Sequence, residues 1–361
     1  MRDAQAREQE AIMKTSRKIL SLMVIMIAVL PAAYAVAEPM PTVDEILDKY
    51  TQALDSTASF IDQYEKTGKF SGHFPPGHPM YSLYGNQRFK YDTFERGVHK
   101  FKVNQGYYKQ EYKWGYFNQS MINIPADKPI SRLWIKSGTL DYFHQVNKVG
   151  HLIDRVERFN TTRPEIPIPT STVGISHILG YVDADERMDT VLRKADRVTL
   201  RSKTEKVGDT DCFVVDADTK YGRCLIWIDP EHGYHAARIR HRAEEGQYLH
   251  RDIVPEGSFA TGYYEVLRFE QIDNTWVPFE VKAGFHRTVG GPEYYMDEEA
   301  VYKRTKILVN PDHGELGSFS DPVYENPAND PELENGTLVK DNDKEYIWED
   351  GKLVPKEESR G

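Results

Sequence analysis

The chain has 361 residues, with 46 Lys and Arg against 56 Asp and Glu, a net charge of −10 with neutral histidines. Hydrophobic residues make up 39 % and charged residues 28 %, which excludes a disordered tail and a multispanning membrane protein. The acidic balance argues against a nucleic-acid binder, which needs a basic footprint to displace counterions, and the 22 Tyr and 15 Phe favour strands.

The N-terminus predicts export. Lys14-Thr-Ser-Arg-Lys18 is basic, Ile19 to Ala37 is almost wholly apolar, and small residues close it at Ala33-Tyr-Ala35 and Ala35-Val-Ala37. A basic n-region, an apolar h-region and an A-x-A site make a secretory signal peptide, here residues 1–37, cleaved after Ala35 or Ala37. An uncleaved anchor is the competing reading, since the apolar run barely reaches across a bilayer. No later run approaches that length, so the mature chain is expected not to span a membrane and to be periplasmic or secreted.

The first mature element is a helix over 42–54. Apolar residues fall at Val43, Ile46, Leu47, Tyr50 and Leu54, which is helical spacing, and Thr42 with Glu45 forms a capping box. From Ser59 to about Phe159 the sequence predicts an antiparallel meander of aromatic-rich strands broken at Gly97, Gly106 and Gly115. Arg163-Pro-Glu-Ile-Pro-Ile-Pro169 reads as an extended connector. A second helix follows, with Asp185 as its cap and Met188, Val191, Leu192 and Ala195 on one face. Six strands come next, over 197–206, 212–216, 223–229, 263–272, 275–285 and 301–309, with Asp273-Asn274 as a tight turn. The organisation expected is a β domain over 38–316, a Pro- and acid-rich linker over 317–335 and a β-ribbon tail over 336–361. Helix, strands, helix, strands, without alternating βαβ units, points to an α+β protein that is mainly antiparallel sheet.

The two cysteines, Cys212 and Cys224, flank the turn Asp218-Thr-Lys-Tyr-Gly222. If they face each other, a disulfide across so short a loop contributes about 3 kcal/mol. Two buried free thiols fit equally well, because a single step of register separates them.

Several segments resemble LolA-like proteins, the outer-membrane lipoprotein-sorting superfamily. Thr42-Val-Asp-Glu-Ile-Leu-Asp-Lys-Tyr-Thr-Gln-Ala-Leu54 after a signal peptide resembles the family's opening helix. Cys212-Phe-Val-Val-Asp-Ala217 followed by Leu225-Ile-Trp-Ile-Asp-Pro-Glu-His-Gly-Tyr234 is similar to its paired strands. Phe269-Glu-Gln-Ile-Asp-Asn-Thr-Trp-Val-Pro-Phe-Glu280 is similar to a later hairpin, and the segment from Gly336 to Val354 to tails on exported members. The resemblance implies a strongly curved antiparallel sheet, an open half-barrel covered by helices, holding acyl chains in its hollow. The chain departs from the carrier in its length, its acidity, the proline segment and the tail.

Burying one CH₂ stabilises by about 0.8 kcal/mol, so an acyl chain needs little polar recognition. Positions that could line such a hollow are Phe213, Val215, Leu267, Phe269, Phe279, Val281, Ile307 and Val309, with Ile46, Leu47 and Tyr50 on the covering helix. The plain alternative for each is ordinary core.

No Gly-x-Ser-x-Gly, His-Glu-x-x-His, Walker loop or Gly-x-Gly-x-x-Gly occurs, and no nucleophile stands out, so no catalytic residue, metal or cofactor is assigned. His232 with His235, and His73 with His78, read as solvated turn histidines. Asp216-x-Asp218 and Asp341-x-Asp343-x-Glu345 lack the Gly and Glu of a calcium loop. The expectation is a non-enzymatic envelope protein binding a lipid or the acyl chains of a lipoprotein. The alternative is a protein-interaction or sensing module that meets an envelope partner through its rim and acidic tail; an unrecognised hydrolase is the weaker third.

Overall fold

The structure is a computed structural model that describes residues 40–77, 88–102, 105–114, 130–137, 140–146, 155–160, 180–183, 186–249, 252–320, 333–341 and 344–356. The leader expected over 1–37, the proline connector and most of the expected linker lie outside the described residues. Residues 42–361 form one unit.

That unit opens with helix α1 (Val43–Ser56). Thr42 Oγ1 accepts from the Glu45 amide, while the Glu45 carboxylate accepts from the Thr42 amide at 2.7 Å, the expected capping box. The meander follows as β1 (Phe60–His73), β2 (Phe89–Lys102), β3 (Gln105–Trp114), β4 (Ile130–Ser137), β5 (Leu140–Val146) and β6 (Arg155–Asn160). Gly97 does not break β2. It lies opposite Tyr64, whose ring stacks on His99 and Tyr302, so a position without a side chain leaves space for the ring.

Next come β7 (Tyr181–Asp183), β8 (Glu186–Arg187) and the short helix α2 (Met188–Arg193). Its cap is Arg187 rather than Asp185, and it makes no side-chain capping bond. Instead Asp189, in the first turn, accepts from Arg187 Nε at 2.8 Å and Nη2 at 2.6 Å. The second half contains β9 (Arg197–Leu200), β10 (Glu205–Val207), β11 (Thr210–Thr219), β12 (Gly222–Asp229), β13 (His235–Glu244), β14 (Tyr248–Leu249), β15 (Asp252–Ile253), β16 (Phe259–Ile272), β17 (Thr275–Thr288) and β18 (Tyr295–Val309). Asp273 and Asn274 both have positive φ, 46° and 65°, the type I′ geometry that a two-residue hairpin needs. The chain closes with β19 (Leu338–Asp341), β20 (Lys344–Glu349) and β21 (Lys352–Pro355).

The pairings run β9-β11-β12-β13-β16-β17-β18-β1-β2-β3-β4-β5-β6-β19-β20-β21. Among the described residues every pair is antiparallel except β6 with β19, and none joins β9 to β21, so the sheet they form is not closed. β1 pairs with β18 and so joins the meander to the second half. The C-terminal ribbon continues the same sheet beyond β6.

The cysteine pair is not bonded; both thiols are free and buried. The two-residue turn at Lys220 and Tyr221 sets Cys224 opposite Ala217, and one further step of the same register sets Cys212 opposite Asp229. The cysteines are thus five positions out of step, roughly 17 Å along a strand, and on opposite faces of the sheet. Disulfide geometry needs Cα atoms within about 7 Å.

Candidate functional site

One face of the sheet carries the largest apolar cluster. From α1 it takes Ile46, Leu47, Tyr50 and Leu54, and from α2 it takes Met188, Val191 and Leu192. Val215, Ile226, Ile239, Tyr264, Val281 and Tyr302 supply the strand side. Each of these strands exposes alternate residues to one face, so the sheet offers the helices a continuous apolar floor. Gly180 lies against Leu54, where an added Cβ would come within 2.3 Å of a leucine methyl. Polar contacts tie the helices down at the edges. Thr51 Oγ1 donates to Asp189 at 2.9 Å, Arg193 donates to Asp48 at 2.6 Å, Arg187 donates to Asp55 at 2.5 Å, and Lys49 donates to the Tyr234 hydroxyl at 2.8 Å. Burial pushes the Tyr50 and Tyr264 hydroxyls well above the ordinary tyrosine range, so both stay neutral.

The same face changes character across β1, β2 and β18. Along the first half of β1 the buried residues are Phe60, Asp62, Tyr64 and Lys66, alternating with less buried neighbours. Asp62 Oδ1 lies 2.7 Å from His99 Nδ1, and Oδ2 accepts from Arg304 Nε at 2.8 Å and from the Tyr302 hydroxyl at 3.2 Å. Arg304 also donates to the Pro278 carbonyl. The Tyr64 ring stacks on His99 at 4.5 Å and on Tyr302 at 4.8 Å, and its hydroxyl donates to Glu95 at 2.6 Å. Lys66 Nζ donates to Glu298 at 2.6 Å.

Burial alone would raise the Asp62 carboxyl, but His99 and Arg304 outweigh it and hold the group below its ordinary range. Burial would likewise lower the Lys66 ammonium, but Glu298 and Glu95 outweigh it and raise it. Both groups are therefore charged at neutral pH. Asp62 is matched by Arg304 and Lys66 by Glu298, which is how buried ions are made tolerable.

The positions named from sequence do not all gather. Ile46, Leu47, Tyr50, Val215 and Val281 meet in the cluster under the helices, and Phe213 packs at its margin. Phe279, Ile307 and Val309 belong to a smaller cluster with Phe60 and Phe101. Phe269 packs against the opposite-face cluster around Cys212, Val214 and Trp227. Leu267 is 50 % exposed, at the register shift between Val266 and Arg268. Sequence reading missed Asp62, Lys66, Glu95, His99 and Arg304. The alternation of Phe60, Asp62, Tyr64 and Lys66 has no apolar period to mark a buried face.

His235 is not solvated. It is buried, and burial pushes its imidazole down to about 4. His232 is part-buried, with Nδ1 2.7 Å from Asp229 and its ring stacked 4.5 Å from that of Phe269. Asp229 also accepts from the Glu231 and His232 amides, so this side chain shapes the turn between β12 and β13. Of the other pair, His73 lies 3.0 Å from the Glu293 carbonyl and His78 is outside the described residues. Among the described residues no group of three His, Cys, Asp or Glu is placed to hold a metal, and no helix is long and apolar enough to cross a membrane.

No known family matches the sequence, and no curated protein does. Solved structures give distant likenesses. A DUF1329 family protein from Desulfovibrio piger aligns at 13 % identity over 80 % of this chain and 99 % of its own, with a TM-score of 0.38. A mutant porin of Rh. blastica aligns at 9 % identity over 68 % of this chain and 99 % of its own, with a TM-score of 0.24. The MucA/MucB complex of Pseudomonas aeruginosa aligns at 7 % identity over 74 % of this chain and 99 % of the matched chain, with a TM-score of 0.20.

Proposed function

We propose that the chain is a non-enzymatic, exported envelope protein of the LolA-like kind, whose sheet is bent into a half-barrel and binds a lipid or a lipidated protein by its acyl chains. The observation that carries this is the apolar floor under α1. Ile46, Leu47 and Tyr50 are fully buried against Val215 and Val281 on a sheet that is not closed among the described residues. A helix held by its apolar stripe and by exposed polar contacts at its margin can exchange that stripe for an acyl chain of similar area. The leader over 1–37 supports a periplasmic or secreted location.

The alternative, a protein-interaction or sensing module that meets an envelope partner through its rim and acidic tail, has less support on the side of the tail, because β19 is paired to β6 and continues the sheet. The test is mass spectrometry of lipid extracted from protein purified under native conditions. Acyl lipid in stoichiometric amount is expected. Protein that repeatedly purifies without lipid and does not bind a fluorescent fatty acid after delipidation overturns the reading.

A further inference from the structure

We propose that Arg287 receives the anionic headgroup of the amphiphile whose chain lies under α1; this inference rests on the lipid-binding reading and adds the ligand's headgroup class. Strand β17 runs without a register shift from Val281 to Thr288 against β18. Val281, Ala283 and Arg287 therefore share a face, the one that carries the cluster under the helices. Arg287 lies opposite Ala260 on β16 and Met296 on β18, away from the helix-covered end.

The other buried cations of that face are matched. Lys66 holds Glu298, and Arg304 holds Asp62. Arg287 is the exception among the described residues, with no ion pair to any carboxylate, and its Nε is sealed from solvent without a hydrogen-bond partner. The acids on the neighbouring stretch of β18 are committed elsewhere. Glu298 accepts from Lys66, and Asp297 lies 2.6 Å from His286. A guanidinium N–H buried without an acceptor is costly, and a planar fork of donors suits a carboxylate or a phosphate. A second buried polar atom without a partner, Thr93 Oγ1, is found on β2, opposite Gly68.

The spacing suits an amphiphile. Four residue steps of β17 separate Arg287 from Ala283, which lies opposite Tyr264 of the cluster, about 14 Å at roughly 3.4 Å per residue. The acyl chains of one leaflet occupy about 15 Å, half of a hydrocarbon core of about 30 Å. Between Ala283 and Arg287, β17 presents Phe285, opposite Gly262 on β16 and Glu298 on β18, whose carboxylate is held by Lys66. A chain anchored by its headgroup at Arg287 thus reaches the apolar cluster without crossing a charged side chain of β17.

The experiment measures displacement of a fluorescent fatty acid from the full-length protein by hexadecanoate, palmitoyl lysophosphatidate and hexadecanol. The quantity read is the ratio of anion to alcohol affinity. The wild type is expected to favour the anions by about tenfold, Arg287→Gln to bring the ratio to about one, and Arg287→Lys to recover part of it. The anion with the larger ratio identifies the headgroup as carboxylate or phosphate. Circular-dichroism melts of both variants confirm that they fold, and if Arg287→Gln does not, the ratio for Arg287→Lys against wild type is read instead. Hexadecanol bound as tightly as the anions by the wild type, or a ratio unchanged in Arg287→Gln or, in its stead, Arg287→Lys, overturns this inference and leaves lipid binding standing. No binding of any of the three overturns lipid binding itself and this inference with it.

Discussion

Replacing Asp62 with Asn tests whether the buried charges on β1 are a paired network rather than a tolerated accident. Asp62 is 1 % exposed and takes hydrogen bonds from Arg304 and Tyr302 while contacting His99. The substitution keeps the shape and removes the charge, so Arg304, itself 3 % exposed, is left uncompensated. Breaking a buried pair from one side costs about 3–5 kcal/mol. In a domain of this size that corresponds to a fall in Tm on the order of 10 °C. Urea denaturation followed by circular dichroism measures it. The double variant Asp62→Asn/Arg304→Met removes both charges and is expected to recover about 1–3 kcal/mol relative to the sum of the single changes. The pH profile gives a second reading. Because the Asp62 carboxyl is held below its ordinary value of 3.8, its contribution is present above that pH and is lost as pH falls below it. The variant therefore has a flatter acid limb than the wild type. A loss under about 1 kcal/mol, or strict additivity of the two changes, refutes the coupling.

Three further outcomes rest on the burial and capping of single side chains. His235 is depressed from 6.5 to about 4 by burial, so the neutral form stabilises the fold above pH 6.5 and this contribution, about 3 kcal/mol, declines as pH falls toward 4. An NMR titration of its ring that shows an ordinary midpoint refutes this. Cys212 and Cys224 are both buried, with thiols pushed up to about 12 chiefly by burial, so iodoacetamide leaves native protein unlabelled and adds two groups after denaturation without reductant. A mass shift that appears only with reductant would restore the disulfide. Thr42→Ala removes the capping box and is expected to cost about 1 kcal/mol, with Thr42→Ser close to wild type; equal melts for all three would show that α1 does not depend on its cap.

How much was legible follows from where local chemistry decides. The helix at 43–56 was readable because its cap and its 3.6-residue stripe act within one segment. The hairpin at Asp273 and Asn274 was readable because few residues accept two positive φ values in succession. β13 was not, since His-Ala-Ala-Arg-Ile-Arg-His-Arg-Ala-Glu has little β propensity, and its place between β12 and β16 makes it a strand. The cysteine register turned on whether Lys220 and Tyr221 alone form the turn, a choice that a five-residue polar stretch leaves open. Of the lining positions, those on β11 and β17 that share the helix-covered face came together, while Phe269 and Leu267 lie on either side of a register shift that alternation cannot foresee.

The polarity of the sheet face bears on what it can hold. A face built only to be a core would continue the aliphatic and tyrosine packing of β11–β17 into β18 and β1, since paired buried ions contribute less stability than apolar side chains of the same volume. Instead Asp62, Lys66, Arg304 and Glu298 are spent there, each matched, with Arg287 as the unmatched cation nearer the far end of β17. An apolar cluster under two helices, paired ions beside it and an unpaired cation further along β17 give one surface two solvents. A purely apolar ligand would leave Arg287 without an acceptor, and a small anion would make no contact with the apolar cluster. A molecule with a long chain and an oxyanion at one end satisfies both, and the same two-ended demand is what the alcohol and anion probes separate.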